Sequence, residues 1–205
     1  MFVDVPAPHG ILEAVYWDVP RPRACAVVLH PHPQLGGSMH HHAPYRIARA
    51  LRDAQVACVR FNFRGVGRSS GKFAEGIGER EDVAAGLAFL AEKHSDAPLW
   101  IAGYSFGAWV GLHTASTDPR VRAVLLAGVA VKMFAHEAKV NAPLAVIQGA
   151  DDEFGPASEV EAALRPLSAQ FKFTSIAGAD HLFTNQLDAL EQAARDSIAW
   201  LLDPR

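Results

Sequence analysis

The pattern Gly-x-Ser-x-Gly occurs twice in this 205-residue chain, as Gly67-Arg68-Ser69-Ser70-Gly71 and as Gly103-Tyr104-Ser105-Phe106-Gly107. A serine in such a setting can be raised on a sharp strand-to-helix turn as a nucleophile, and bulk two residues to either side would clash there. Context separates the two copies. PLWIA before the second reads as a strand and AWVGLHTA after it as a helix, whereas the first follows RFNFRGVG and runs into KFAEGIGE with neither element adjacent. Ser105 is therefore the candidate nucleophile and Gly103 and Gly107 its elbow glycines. The Phe106 amide, at the helix N-terminus, is placed to donate to a developing oxyanion. Ser69 reads as a loop serine. Its glycines also suit a phosphate-binding turn, but no helix starts there and no Lys-Ser/Thr pair closes it.

A serine hydroxyl needs a base, and the base needs a group to orient it. Ala150-Asp151-Asp152-Glu153-Phe154-Gly155-Pro156 places carboxylates just after the apolar run LAVIQG. Further on, past FKFTSI, Ala177-Gly178-Ala179-Asp180-His181-Leu182-Phe183 places a histidine in the last loop before the final helix. His181 is the candidate general base, and the acid is Asp151 or Asp152. Asp180 is a weaker rival, because neighbouring side chains in a loop rarely point at each other. The order serine, acid, histidine is that of one class of sheet enzymes.

Positioning these residues is the work of alternating elements. The runs Cys25–Leu29, Ala57–Asn62, Pro98–Gly103, Val121–Gly128, Leu144–Gly149 and Lys172–Ile176 read as buried strands. Ala43–Ala54, Glu79–His94, Ser105–Ser116, Ala157–Leu167 and Gln186–Leu202 carry apolar residues at helical spacing. Phe2–Val5 and Leu12–Trp17 flank a Pro-Ala-Pro-His-Gly turn and predict an antiparallel hairpin at one edge. The expected class is α/β: one domain over residues 1–205, with about eight mostly parallel strands flanked by helices. Ligands of such sheets bind outside the carboxyl ends of the strands.

Composition narrows the partners. Half the residues are apolar and a fifth charged, which argues against disorder. Nineteen basic residues against 22 acidic ones give a net charge of −3 with neither sign clustered, so nucleic acid and anionic membranes lose their electrostatic case. The longest apolar run, Ala123 to Val131, is far short of the roughly 18 residues of a membrane span. MFVDVPAPHG has no basic segment leading into an apolar stretch, so a cytoplasmic site is expected. Cys25 and Cys58 lie in strand-like runs and are expected to be buried free thiols. His30, His32 and the triplet His40-His41-His42 invite a metal reading. The first two point to opposite sides if extended and no Cys joins them, so no metal, no cofactor and solvated loop histidines near the active-site mouth are expected.

At this point the residues resemble the α/β-hydrolase superfamily and, more narrowly, a group of small bacterial α/β-hydrolases without a lid. The resemblance is carried by His30-Pro31-His32-Pro33-Gln34-Leu35-Gly36-Gly37-Ser38-Met39, by Phe61-Asn62-Phe63-Arg64-Gly65-Val66-Gly67, by Gly76-Ile77-Gly78-Glu79 and by the Ser105 elbow, and it runs nearly end to end. It implies an α/β-hydrolase fold without a substantial cap domain, since Val131 to Ala142 leaves room for only one short helix where many superfamily members carry a lid. The superfamily acid falls three residues after a glycine and four before a proline, which fits Gly149, Asp152 and Pro156 and favours Asp152. The loop after the first parallel strand supplies the second oxyanion amide in this superfamily. Pro31 and Pro33 have no N–H, leaving His32, Gln34 and Leu35, of which the alignment favours His32.

The activity implied is that of a serine hydrolase, a carboxylesterase acting on small or solvent-reachable acyl esters or thioesters through Ser105, His181 and Asp152 and an acyl-enzyme. Acyl transfer to another acceptor, as in an acyltransferase or perhydrolase, and a non-catalytic ligand-binding protein are the alternatives. Phe106, Trp109, Met133, Phe134, Phe154 and Phe183 are candidates for an apolar lining, Trp109 also for the core. Arg64 either grips an anionic substrate or pairs with a carboxylate. A monomer or homodimer is expected.

Overall fold

In the computed structural model, which describes residues 1–203, the apolar runs form one eight-stranded sheet. β1 (Phe2–Ala7) and β2 (Gly10–Trp17) make the antiparallel hairpin at one edge. β3 (Ala24–Leu29), β4 (Val56–Phe61), β5 (Leu99–Tyr104), β6 (Val121–Ala127), β7 (Leu144–Gly149) and β8 (Phe171–Ile176) run parallel, and the sheet order is β1-β2-β4-β3-β5-β6-β7-β8. Every residue of β3, β4, β5 and β7 is buried. Strands covered on both faces have no polar side to show, hence their unbroken apolar runs.

Helices supply the two covers. α1 (His42–Asp53) and α5 (Leu187–Leu202) lie on one face, where Ile47, Leu51, Leu190 and Ile198 join its core. α2 (Glu79–Lys93), α3 (Phe106–Thr117) and α4 (Ala157–Leu164) lie on the other, with Val83, Leu87, Val110, Leu112 and Val160. The helix expected over 157–167 ends at Leu164 and tightens into a 3₁₀ turn, Arg165–Leu167. Pro166 has no N–H to continue the α-helical ladder. Cys25 belongs to one core and Cys58 to the other, so the two free thiols on adjacent strands face opposite sides of the sheet.

The chain winds from β3 outward to β4 in one direction and from β5 to β8 in the other, so the winding reverses between β3 and β5. A crevice opens at the carboxyl ends of strands at such a reversal. The connection from β6 to β7 carries no large insertion, and the stretch from Val131 to Ala142 forms a turn and irregular chain without a helix. Among the described residues, no helix is long and apolar enough to cross a membrane.

Candidate active site

β5 ends at Tyr104 and α3 begins at Phe106, so Ser105 alone makes the turn between them. Its backbone sits at φ 55° and ψ −118°, a region that costs a side-chain-bearing residue about 1–3 kcal/mol. Hydrogen bonds hold it there: the Ser105 amide donates to Ala127 O at 3.0 Å, and Ser105 O accepts from the Ala108 amide at 2.9 Å. The flanking glycines are required by contact. A Cβ on Gly103 would overlap the Gly107 carbonyl, and one on Gly107 would lie 2.7 Å from the carbonyl oxygens of Leu29 and His30.

The structure brings Ser105, His181 and Asp152 together. Ser105 Oγ lies 3.0 Å from His181 Nε2, and His181 Nδ1 lies 2.8 Å from Asp152 Oδ2. A carboxylate can only accept, so Nδ1 carries the proton and the Nε2 lone pair faces the serine hydroxyl. Asp152 is 1% exposed and fully bonded. Its Oδ1 accepts from the amides of Phe154 and Gly155 at 2.9 and 3.1 Å, and its Oδ2 also accepts from Gln148 Nε2 at 2.7 Å. Asp151 is exposed and its carboxylate makes no hydrogen bond to this cluster, its amide donating to Ala179 O. Asp180 accepts from the Thr184 amide at 2.8 Å and shapes the turn that carries the histidine.

Two residues of this assembly escaped the sequence reading. Gln148 fixes Asp152 and also accepts from the Val129 amide at 2.7 Å and donates to Gly155 O at 2.8 Å, tying three segments together. A polar residue at the buried end of the run LAVIQG was its one visible signal. Tyr104 donates its hydroxyl to His181 O at 2.6 Å and stacks on the imidazole at 5.7 Å between ring centres. Phe154 meets the same imidazole edge-on at 4.9 Å.

Of the three amides available in the loop after β3, two are engaged. Gln34 N donates to His32 Nδ1 at 3.2 Å and Leu35 N to His32 O at 3.0 Å. The His32 amide has no acceptor among the described residues, and its ring lies 5.0 Å from that of Phe106. The Phe106 amide opens α3 and so has no carbonyl one turn back to bond. His30 does neither metal binding nor solvation: fully buried, it donates from Nδ1 to Pro31 O at 2.6 Å and accepts at Nε2 from Phe63 N at 3.0 Å. Among the described residues, no three His, Cys, Asp or Glu side chains gather in a way that could hold a metal ion.

Burial pushes the pKa of His30 and of His136 down to about 4, so both are neutral in the folded protein. In the unfolded chain they take up protons near pH 6.5. Their stabilising contribution is therefore complete above about pH 6.5 and is lost progressively as the pH falls toward 4. By pH 5 the loss should reach about 2 kcal/mol for each. Urea midpoints measured between pH 7.5 and 4.5 are expected to fall through that window, and a flat profile would contradict a neutral buried pair.

A cavity of about 240 Å³ opens beside Ser105, lined by Pro31, His32, Leu35, His41, Tyr104, Met133, Phe134, Phe154, His181 and Leu182. Met133, Phe134 and Phe154 line it as expected. Phe106 and Trp109 stand behind that wall, Trp109 stacked on Phe134 at 4.9 Å and donating from Nε1 to Ala135 O at 2.9 Å. Phe183 is turned by a positive φ of 53° into the α1/α5-side core. Of the histidine triplet, His40 and His42 are exposed as expected, while His41 lies beside the site as expected but is half-buried in the cavity wall and so less solvated than its neighbours. Arg64 is committed to a carboxylate, its Nε and Nη2 both donating to buried Asp82 Oδ1 at 3.0 and 2.7 Å. Ser69 is a structural clip, donating to Asn62 O at 2.6 Å and accepting from Glu13 N at 2.9 Å.

Fold and site define an α/β protein with helices on both sheet faces, whose serine, histidine and carboxylate gather at the carboxyl ends of its strands. The sequence matches the Alpha/beta hydrolase domain family over residues 24–200, and the chain belongs to that family. It is 33% identical over 203 residues to an uncharacterized protein of Rickettsia prowazekii, covering 93% of this chain and 85% of that protein. A protein of unknown function from Agrobacterium tumefaciens has a similar structure, with a TM-score of 0.92 at 29% identity over 100% of this chain and 98% of that one. A Xanthomonas campestris structure described as an α/β serine hydrolase without lid gives a TM-score of 0.88 at 32% identity, over 98% and 94%. These relationships point to hydrolase chemistry.

Proposed function

We propose that the protein is a serine hydrolase, a carboxylesterase for small or solvent-reachable acyl esters or thioesters. The observation that carries this is the unbroken relay from Ser105 Oγ through His181 to Asp152, at 3.0 and 2.8 Å. His181 Nε2 takes the hydroxyl proton as Ser105 Oγ attacks the ester carbonyl, and Asp152 holds the imidazole and offsets its charge. The amides of Phe106 and His32 stabilise the tetrahedral oxyanion. His181 then returns the proton to the departing alcohol or thiol, leaving an acyl-enzyme. Water, deprotonated by the same nitrogen, releases the acid and restores Ser105.

The cavity supports the size class. At about 240 Å³ it is below the roughly 300–1,000 Å³ of pockets that enclose drug-sized ligands, so a short acyl group fits and a long chain projects into solvent. Hydrolysis of nitrophenyl esters is expected to fall at least tenfold in kcat/KM from butanoate to dodecanoate. A fluorophosphonate should add one label to the intact mass, at Ser105. A rate that rises with chain length would overturn the size argument, and a folded protein that takes no label would turn the reading to a non-catalytic ligand-binding protein.

A further inference from the structure

We propose that His41 is a specificity residue of this cavity, donating a hydrogen bond to an acceptor oxygen that the substrate carries beside its scissile ester. The inference rests on the hydrolase reading above and names the substrate class within it: short esters bearing a hydroxyl, ether or keto oxygen close to the reacting carbonyl.

The cavity wall is mostly apolar, with Pro31, Leu35, Met133, Phe134, Phe154 and Leu182. Its polar side chains are nearly all spoken for. Ser105 and His181 face each other, and the Tyr104 hydroxyl is spent on His181 O. His32 Nδ1 takes the Gln34 amide, and its ring is packed among Phe73, Phe106 and Phe134. His41 remains.

His41 caps the N-terminus of α1, its Nδ1 accepting from Ala43 N at 3.3 Å. A ring nitrogen that accepts an N–H carries no proton, so the neutral imidazole has its hydrogen on Nε2, at the opposite edge of the ring. Burial, with His42 and His181 nearby, lowers the His41 pKa and favours that neutral form. The ring lies nearly parallel to Tyr104, at 5.3 Å between centres and 25°, which sets its plane. Nε2 makes no hydrogen bond among the described residues and is not sealed from solvent.

Capping alone does not explain a histidine here, because Ser, Thr, Asp and Asn cap helices better and need less room. What histidine adds is a long, flat donor whose tautomer is fixed by the helix and whose plane is fixed by the residue preceding the nucleophile. An apolar pocket discriminates weakly between alkyl groups. A donor open to water in the free enzyme is left unpaired when an alkyl substrate covers it and stays paired when an oxygenated one does, which favours the oxygenated ester over its alkyl isostere.

The test compares matched esters in two arms: nitrophenyl methoxyacetate against nitrophenyl butanoate for an acyl-side oxygen, and 2-methoxyethyl acetate against butyl acetate for an alcohol-side oxygen. Each kcat/KM is divided by the rate constant for hydroxide hydrolysis of the same ester, which removes intrinsic reactivity. The wild type is expected to favour the oxygenated ester about tenfold in one arm. His41→Phe keeps an aromatic ring on Tyr104 without the donor, and His41→Asn keeps a cap acceptor without the ring. Both are expected to bring that ratio to about one, with melting temperatures reported alongside. A ratio retained in His41→Asn would make His41 a helix cap only and overturn the inference. So would a wild-type ratio near one in both arms, while Ser105-dependent turnover of butanoate would leave the hydrolase reading intact. No turnover of any ester would remove both.

Discussion

Ser105→Ala is expected to lower kcat/KM for nitrophenyl butanoate by about 10⁴-fold or more and to abolish fluorophosphonate labelling, with the fold retained. The hydroxyl is the only atom removed, and the positive φ at this position is set by the Ala127 and Ala108 hydrogen bonds, which alanine keeps. The residual rate should exceed that of water, because the amides of Phe106 and His32, the proposed oxyanion donors, are untouched by the substitution. Ser69→Ala is the informative control. Its hydroxyl bridges Asn62 O and Glu13 N in a buried loop, so this variant should lose about 1–3 kcal/mol of stability and almost no activity. Stopped assays and urea titrations of the two variants would then read opposite results from two serines in the same sequence pattern. Activity surviving in Ser105→Ala at more than a hundredth of wild type would remove the nucleophile assignment.

The contrast between these serines also shows what a sequence can carry. The Ser105 elbow was legible because its determinants are local: a strand, a glycine on either side and a helix, all within a few residues. The central strands were legible because burial on both faces leaves unbroken apolar runs. Choosing Asp152 over Asp151 needed a family spacing, since adjacent carboxylates in a turn differ only in where the fold aims them. Gln148 and Tyr104 were invisible as members of the site because their roles arise between segments far apart in sequence: Gln148 with Val129, Asp152 and Gly155, and Tyr104 with the His181 carbonyl. His41 was expected near the site but fully solvated, and its burial was missed for a related reason. A run of three histidines reads as a polar loop, yet the middle one caps α1 and lies in the cavity wall while its neighbours stay in solvent.

Asp152→Asn should cost about 10⁴-fold in kcat/KM, and the surrounding hydrogen bonds dictate why an isosteric change is so severe. Oδ1 of Asp152 accepts from two backbone amides, of Phe154 and Gly155, so an asparagine must place its carbonyl oxygen there. Its NH₂ group is then forced into the Oδ2 position, where it faces Gln148 Nε2, itself a donor, and His181 Nδ1. Two consequences follow from that one orientation. The donor–donor contact with Gln148 destabilises the fold by about 1–3 kcal/mol. Meanwhile the asparagine donates to Nδ1, which moves the imidazole proton to Nε2 and points an N–H, not a lone pair, at the Ser105 hydroxyl. The base is then in place but in the wrong tautomer. Asp151→Asn and Asp180→Asn should each stay within about threefold of wild type, because Asp151 is exposed and the Asp180 contact to Thr184 N needs only an oxygen, which asparagine retains. Steady-state rates and melting curves for the three variants separate the possibilities. A large rate loss in Asp151→Asn with little in Asp152→Asn would transfer the acid to Asp151, and equal small losses in all three would mean that His181 needs no carboxylate to hold its tautomer.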